Sequence, residues 1–202
     1  MRHATVSNLL HSYAVPLAVA AIVLLLALGG DAARDALRYQ YDAFSNGQWW
    51  RWWTGHLVHL GWSHAALNLA GLALVWALVG GHLSNAGWLW VIGGSALGIS
   101  LGLLFLNPEL TWYVGFSGVL HGMLVAGALA GIRGRGLGGD RTDLLLLVVV
   151  AGKLAWEQAA GPLPGSESGA GGNVIVDAHL YGGVLGLLFG AVLKPRVPES
   201  RR

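Results

Sequence analysis

Six apolar segments, at approximately 13–30, 60–80, 86–106, 117–133, 143–160 and 174–193, divide the chain. Each is near the roughly 20 residues that a helix needs to cross the hydrocarbon of a bilayer. Inside lipid a backbone must satisfy its own N–H and C=O groups, so runs of this length are expected as helices. The predicted fold is an all-α membrane protein, a six-transmembrane-helix bundle forming one domain over residues 1–202. Composition agrees, with 54% hydrophobic and only 11% charged residues, far from the soluble average. Thirty-two glycines and ten tryptophans suit closely packed helices with aromatic residues at the interfaces. A net charge of +2 gives no basis for binding nucleic acid, and the lack of cysteine excludes disulfide and thiolate chemistry. The first run follows Arg2 and His3 like a signal peptide. It is longer than a usual h-region, and Ala32-Ala33 is a poor cleavage site, so a retained helix is expected.

Basic residues set the expected orientation. Arg2, Arg133, Arg135, Arg141, Lys194, Arg196, Arg201 and Arg202 fall on one side if six spans alternate. That side is cytoplasmic by the positive-inside rule, which puts both termini in the cytoplasm. Loops 31–59, 107–116 and 161–173 then lie outside. The last is rich in glycine and proline and reads as a flexible connection. In loop 31–59, Gln48-Trp49-Trp50-Arg51-Trp52-Trp53-Thr54 suits an amphipathic segment lying in the outer interface.

Polar groups inside spans are costly, which makes each of them a functional candidate. Gly115-Phe116-Ser117-Gly118 puts a serine between glycines at the start of the fourth span. A helix beginning there offers Ser117 unpaired N–H groups and a positive dipole end, while Gly115 and Gly118 permit a tight turn and close backbone approach. Taken alone, the same string also reads as a small-residue packing face. His64 and Asn68, four apart in the second span, share a face. They are candidate oxyanion donors, or else hydrogen bonds to neighbouring helices. In the sixth span Gly182, Gly186 and Gly190 recur every fourth residue, with His179 just before them; Gly118, Gly122 and Ala126 match them in the fourth. Pressing the two stripes together brings His179 against Ser117, the nucleophile–base geometry of acyl transfer. Both would sit below the outer surface, in a recessed cavity open to water. Asp177, two residues from His179, leaves the helix on another side and reads as a helix-start residue. The expectation is a Ser–His dyad.

These residues together resemble the rhomboid family of intramembrane serine proteases, over about residues 45–193. Trp50-Arg51 is similar to the family's first-loop pair, His64 and Asn68 to its HxxxN, Gly115–Gly118 to its GxSG, and Ala178-His179 with Gly182 and Gly186 to its AHxxGxxxG. The resemblance implies Ser117 as nucleophile, His179 as general base, and an oxyanion hole from His64, Asn68 and the Ser117 N–H. It implies no cofactor and no metal. Transmembrane proteins within the bilayer are the implied substrates. Within the family the chain is most similar to rhombosortases, small bacterial members associated with proteins carrying a C-terminal Gly-Gly tail. The extended string Gly115–Gly122 and Lys153-Leu154-Ala155-Trp156-Glu157-Gln158 suggest that branch. The location implied is a bacterial inner membrane with the site open to the periplasm.

Two points stay open in the sequence. His121 stands where many rhomboids have a tyrosine that stacks on the catalytic histidine; it either stacks only or also alters that residue's basicity. Lys153 and Glu157 are spaced for an i,i+4 ion pair. They form a self-satisfying structural pair, or Glu157 or Gln158 lines a lateral substrate gate between the second and fifth helices. Among rivals, a zinc site at His56, His59 and His64 lacks both an HExxH spacing and a carboxylate. A non-catalytic rhomboid-like binder would typically lack Ser117 or His179, and the polar groups cluster near one leaflet instead of forming a channel.

Overall fold

The computed structural model describes residues 6–136 and 141–196, with side chains from residue 12 onward. Arg2, His3, Arg201 and Arg202, which entered the orientation argument, lie outside the described residues. Helix dominates. The main helices are α1 (Val6–Leu28), α2 (Gly30–Leu37), α3 (Arg51–Thr54), α4 (Trp62–Val79) and α5 (Asn85–Leu106) in the first half. They are followed by α6 (Ser117–Arg135), α7 (Thr142–Ala160), α8 (Ser166–Ala170) and α9 (Val176–Val192).

Among the described residues, the segments Trp62–His82 and Asn85–Leu106 are long and apolar enough to cross a membrane, and α1 with α2 adds a third as a bent pair. The bend of 115° lies between α1 and α2, where Gly30 has φ +54°, a value that favours glycine. Against the expected 13–30, the first helix thus starts earlier and turns sharply at its end. α9 is apolar but shorter. α6 and α7 reach the length but carry polar residues, namely Arg133 and Arg135 in one and Asp143, Lys153 and Glu157 in the other. The structural reason for α6 is its position. It packs against α4, α5, α7 and α9, so most of its surface never meets lipid and has no need to be apolar.

The outer loops are built rather than loose. Tyr39–Gln40 (β1) pairs antiparallel with Trp112–Tyr113 (β2), Tyr39 opposite Tyr113, a small ribbon that the apolar periodicity gave no sign of. Arg51 is buried and donates from Nη1 to the Asp35 and Arg38 carbonyls at 2.9 and 3.0 Å, satisfying groups near the end of α2 that have no partner within the helix. Thr54 Oγ1 donates to the Leu37 carbonyl at 2.7 Å, and Trp53 Nε1 reaches the Gly93 carbonyl on α5 at 3.1 Å. The expected flexible loop 161–173 contains the short helix α8.

α6 and α9 form the most extensive helix pair, and glycine makes it possible. A Cβ on Gly182 would run into the Gly118 carbonyl, and one on Gly186 would meet the Gly122 carbonyl. At Gly190 it would lie 2.9 Å from the Ala126 carbonyl. Gly182→Ala is therefore expected to push α9 off α6 and lower stability by about 1–3 kcal/mol, as overpacking does. Gly152→Ala on α7, where no atom lies within 4 Å of the new methyl, should leave it unchanged or raise it by up to about 1 kcal/mol. Thermal unfolding of the two variants in detergent measures the contrast.

Candidate active site

Ser117 is the first residue of α6, so its N–H has no acceptor within the helix. The turn that delivers it is fixed from two sides. Gly115 has φ +120°, in the region that favours glycine. Its N–H donates to the Gly55 carbonyl at 3.1 Å, and its carbonyl accepts from the buried Tyr113 hydroxyl at 2.8 Å. Neither Gly55 nor Tyr113 carried a signal in the sequence. Only the ribbon that brings the two outer loops together reveals them.

His179, buried on the first turn of α9, puts Nε2 2.9 Å from Ser117 Oγ. Its other nitrogen, Nδ1, lies 3.0 Å from Glu157 Oε2 on α7. With a proton on Nδ1 facing the carboxylate, Nε2 is left as the acceptor for the serine hydroxyl, which is what activation of a nucleophile requires. The expectation of a serine and histidine with no acid beside them therefore needs correction. The acid comes from a different helix, out of reach of any local sequence spacing around His179. Asp177 instead accepts from Asn107 Nδ2 at 2.8 Å at the start of α9.

The same contact weighs against the lateral-gate alternative for Glu157. Glu157 is buried at 2% exposure and turned inward to His179. Lys153 does form the i,i+4 pair with it, Nζ to Oε2 2.6 Å. Gln158 is exposed and lines an apolar groove of about 440 Å³ with Leu154, Leu180 and Val184. That groove is bordered by α6, α7 and α9, so it includes the fifth span but not the second.

His64 turns its ring edge to the Gly115 turn, since a Cβ on Gly115 would lie 2.9 Å from His64 Nε2. The Leu60 N–H points to His64 Nδ1 at 3.4 Å, which leaves Nε2 as the N–H donor. Asn68 differs from expectation, because its amide donates to its own helix at the His64 carbonyl, 3.0 Å away. His121 donates from Nδ1 to the Ser117 carbonyl at 2.7 Å and stacks on His179, ring centroids 4.3 Å apart and planes 22° from parallel. Gly118, Gly182 and Gly186 are the close-packed residues of the α6–α9 contact beneath the pair.

The histidines weighed as zinc ligands are dispersed in role. His56 is buried and its Nε2 lies 3.1 Å from Ser100 Oγ, which itself donates to the Trp52 carbonyl at 2.7 Å. His59 is also buried and meets the His64 ring edge-on at 4.9 Å. Ligand atoms of His121, Glu157 and His179 do lie within 4.8 Å of one another. Two stacked imidazoles, however, keep their in-plane lone pairs in two separate, nearly parallel planes, whereas a metal needs them to converge on one point. Lys153 already supplies the cation there.

A recess of about 470 Å³ opens among the outer loops, lined in part by Glu109, Trp112, Tyr113, Val114 and Asn173. It adjoins the turn leading to Ser117.

The Rhomboid domain family matches residues 46–196, well over half the chain, a range that includes Ser117, His179, Glu157, His64 and Asn68. The chain belongs to the rhomboid family. Rhomboids are intramembrane serine proteases that act on transmembrane substrates within the bilayer, and membership makes this an integral membrane protein. A comparison with curated proteins gives no match.

The first-loop histidines of this rhomboid carry a pH consequence. Burial holds His56 at a pKa of about 4 and His59 at about 3, both below the ordinary 6.5. The unfolded chain binds protons from about pH 6.5 downward, while the folded chain keeps these rings neutral until the pH approaches their lowered values. Stability contributed by the two rings is full above about pH 6.5. It declines as pH falls towards 4, by up to about 1.4 kcal/mol per pH unit for each ring. Thermal midpoints in detergent between pH 7 and 4.5 should show this slope. In His56→Phe, which keeps an aromatic ring beside Tyr113, the slope should become shallower.

Proposed function

We propose that the chain is an intramembrane serine endopeptidase with six spans and both termini on the cytoplasmic side of a bacterial inner membrane. It cuts transmembrane segments of substrate proteins near the periplasmic face. The observation that carries this reading is the 2.9 Å approach of Ser117 Oγ to His179 Nε2 at a helix N-terminus, in a chain of the rhomboid family.

Ser117 attacks the scissile carbonyl as His179 Nε2 takes its proton. The oxyanion that forms is held by the Ser117 N–H and the His64 Nε2–H. An Asn68 N–H joins them once its side chain turns from the His64 carbonyl. His179 then gives its proton to the leaving amine, and water admitted from the outer recess hydrolyses the acyl-enzyme. Every step uses groups of this chain and water, so the reaction needs no cofactor and persists in chelator.

A substrate helix must unwind before a peptide bond reaches Ser117, and small residues unwind at least cost. That fits a C-terminal Gly-Gly tail, the substrate associated with the rhombosortase branch. The similarity of Gly115–Gly122 and of Lys153–Gln158 to that branch supports it.

Co-expression with a membrane-anchored protein bearing a Gly-Gly tail tests both levels. Cleavage should fall on the order of 10⁴-fold or more in Ser117→Ala and in His179→Ala, and by about 10²–10³-fold in His64→Ala. The new terminus should map at the Gly-Gly pair. A terminus mapped elsewhere in the span would keep the protease and replace the substrate class with that of a general rhomboid. Cleavage undiminished in Ser117→Ala would remove the protease reading altogether.

A further inference from the structure

Glu157 and Lys153 occupy one turn of α7 and face the side of His179 turned away from Ser117. The Glu157 side chain is 1% exposed and the Lys153 side chain 27% exposed. Glu157 Oε2 lies 2.6 Å from Lys153 Nζ and 3.0 Å from His179 Nδ1. Lys153 Nζ lies 3.4 Å from the same Nδ1. An isolated carboxylate this deep would be strongly disfavoured, whereas one paired to an ammonium and hydrogen-bonded is tolerated. Two neighbours therefore compete for Nδ1. The carboxylate accepts only, and favours a proton on Nδ1. The ammonium donates only, and favours a bare Nδ1.

The two outcomes are not equivalent for Ser117. A proton on Nδ1 leaves the Nε2 lone pair facing the serine hydroxyl. A bare Nδ1 puts the proton on Nε2, aimed at Ser117 Oγ, and the ring can no longer act as a base. The carboxylate has the shorter contact and needs the proton to complete its own shell, so it prevails while both groups are present.

We propose that Glu157 is a positioning residue which, held ionised by Lys153, fixes His179 in the tautomer that can deprotonate Ser117. This rests on the protease reading above and adds an acid to a site that the sequence presents as a dyad. Seen from Nδ1, the two opposite charges at 3.0 and 3.4 Å largely cancel. The pair thus acts more through the direction of one hydrogen bond than through a net field on the imidazolium. His179 is oriented without being made to hold its proton, which it must release to the leaving amine.

The competition gives the test a signature that a purely structural ion pair lacks. Replacing only Glu157 with glutamine leaves the Lys153 ammonium beside Nδ1 with no carboxylate to oppose it, and the unproductive tautomer is favoured. Removing Lys153 as well leaves the glutamine carbonyl free to accept from Nδ1–H, with no buried charge unpaired. The full chain in detergent is titrated with a fluorophosphonate, and the second-order rate of labelling at Ser117 is measured beside the thermal midpoint. Glu157→Gln is expected to label about 100-fold more slowly than the native chain, and Glu157→Gln with Lys153→Met only about tenfold more slowly. The partial recovery on adding a second substitution is the decisive reading, and the double variant carries the test alone where the single variant fails to fold. Glu157→Gln or the double variant labelling at the native rate would overturn the proposal, even with a lowered midpoint, and would leave the protease reading intact. Native chain that fails to label, or label retained in Ser117→Ala, would overturn the protease reading and this proposal with it.

Discussion

The contact on which the rest of the structure depends is backbone against backbone, where α6 and α9 meet at glycine. Gly118 lies under Gly182, Gly122 under Gly186, and Ala126 under Gly190. In lipid there is little hydrophobic gain in bringing two apolar helices together, so dispersion at close range has to supply the attraction. Side chains would hold the axes apart; glycines remove them. Ser117 and His179 stand one residue before Gly118 and three before Gly182, so a fraction of an ångström in this seam is the same fraction in the Ser117 to His179 distance. Packing and proton transfer are set by one geometry.

That seam also explains why α6 has the composition of a core element more than of a membrane anchor. α6 is covered by four other helices, and glycine and alanine predominate along it. The lipid-facing burden falls on its neighbours, where Leu74, Leu89, Phe105, Val148 and Leu188 are exposed. A similar exchange appears at the end of the bundle opposite Ser117. Asp143 is buried there and pairs with Arg135, while His82 Nδ1 donates to the Gly127 carbonyl at 3.0 Å. Charge is admitted at both ends of α7, and in each case a partner of opposite sign comes with it.

What was legible in the sequence follows from the range of the forces involved. The small-residue stripes at Gly118, Gly122 and Ala126 and at Gly182, Gly186 and Gly190 are periodic along single helices. They pointed to the pairing of α6 with α9, and through it to Ser117 beside His179. Local contacts such as the Lys153–Glu157 pair were equally readable, because i,i+4 spacing determines them. Glu157 against His179 was not. Its partner is 22 residues away, and the nearby lysine made it look already satisfied. The ribbon of Tyr39–Gln40 with Trp112–Tyr113 was hidden because two residues are too few to show an alternating pattern. Tyr113 and Gly55, which pin the Gly115 turn, were hidden with it. Asn68 shares a face of α4 with His64, but its amide turns back to its own helix, a choice that Asn commonly makes and that spacing does not foretell.

The histidines show the same rule from another side. Five of them lie in or around the site, and a count of imidazoles in the first loop suggests metal chemistry more readily than acyl transfer. Geometry separates them by what each nitrogen meets. His56 meets Ser100 and His59 meets the edge of His64. His121 meets the Ser117 carbonyl and the face of His179. Only His179 has an acid on one nitrogen and a hydroxyl on the other. A residue type becomes a base through the difference between its two sides, and in this fold that difference is created by two helices, α7 and α6, reaching the same ring from opposite directions.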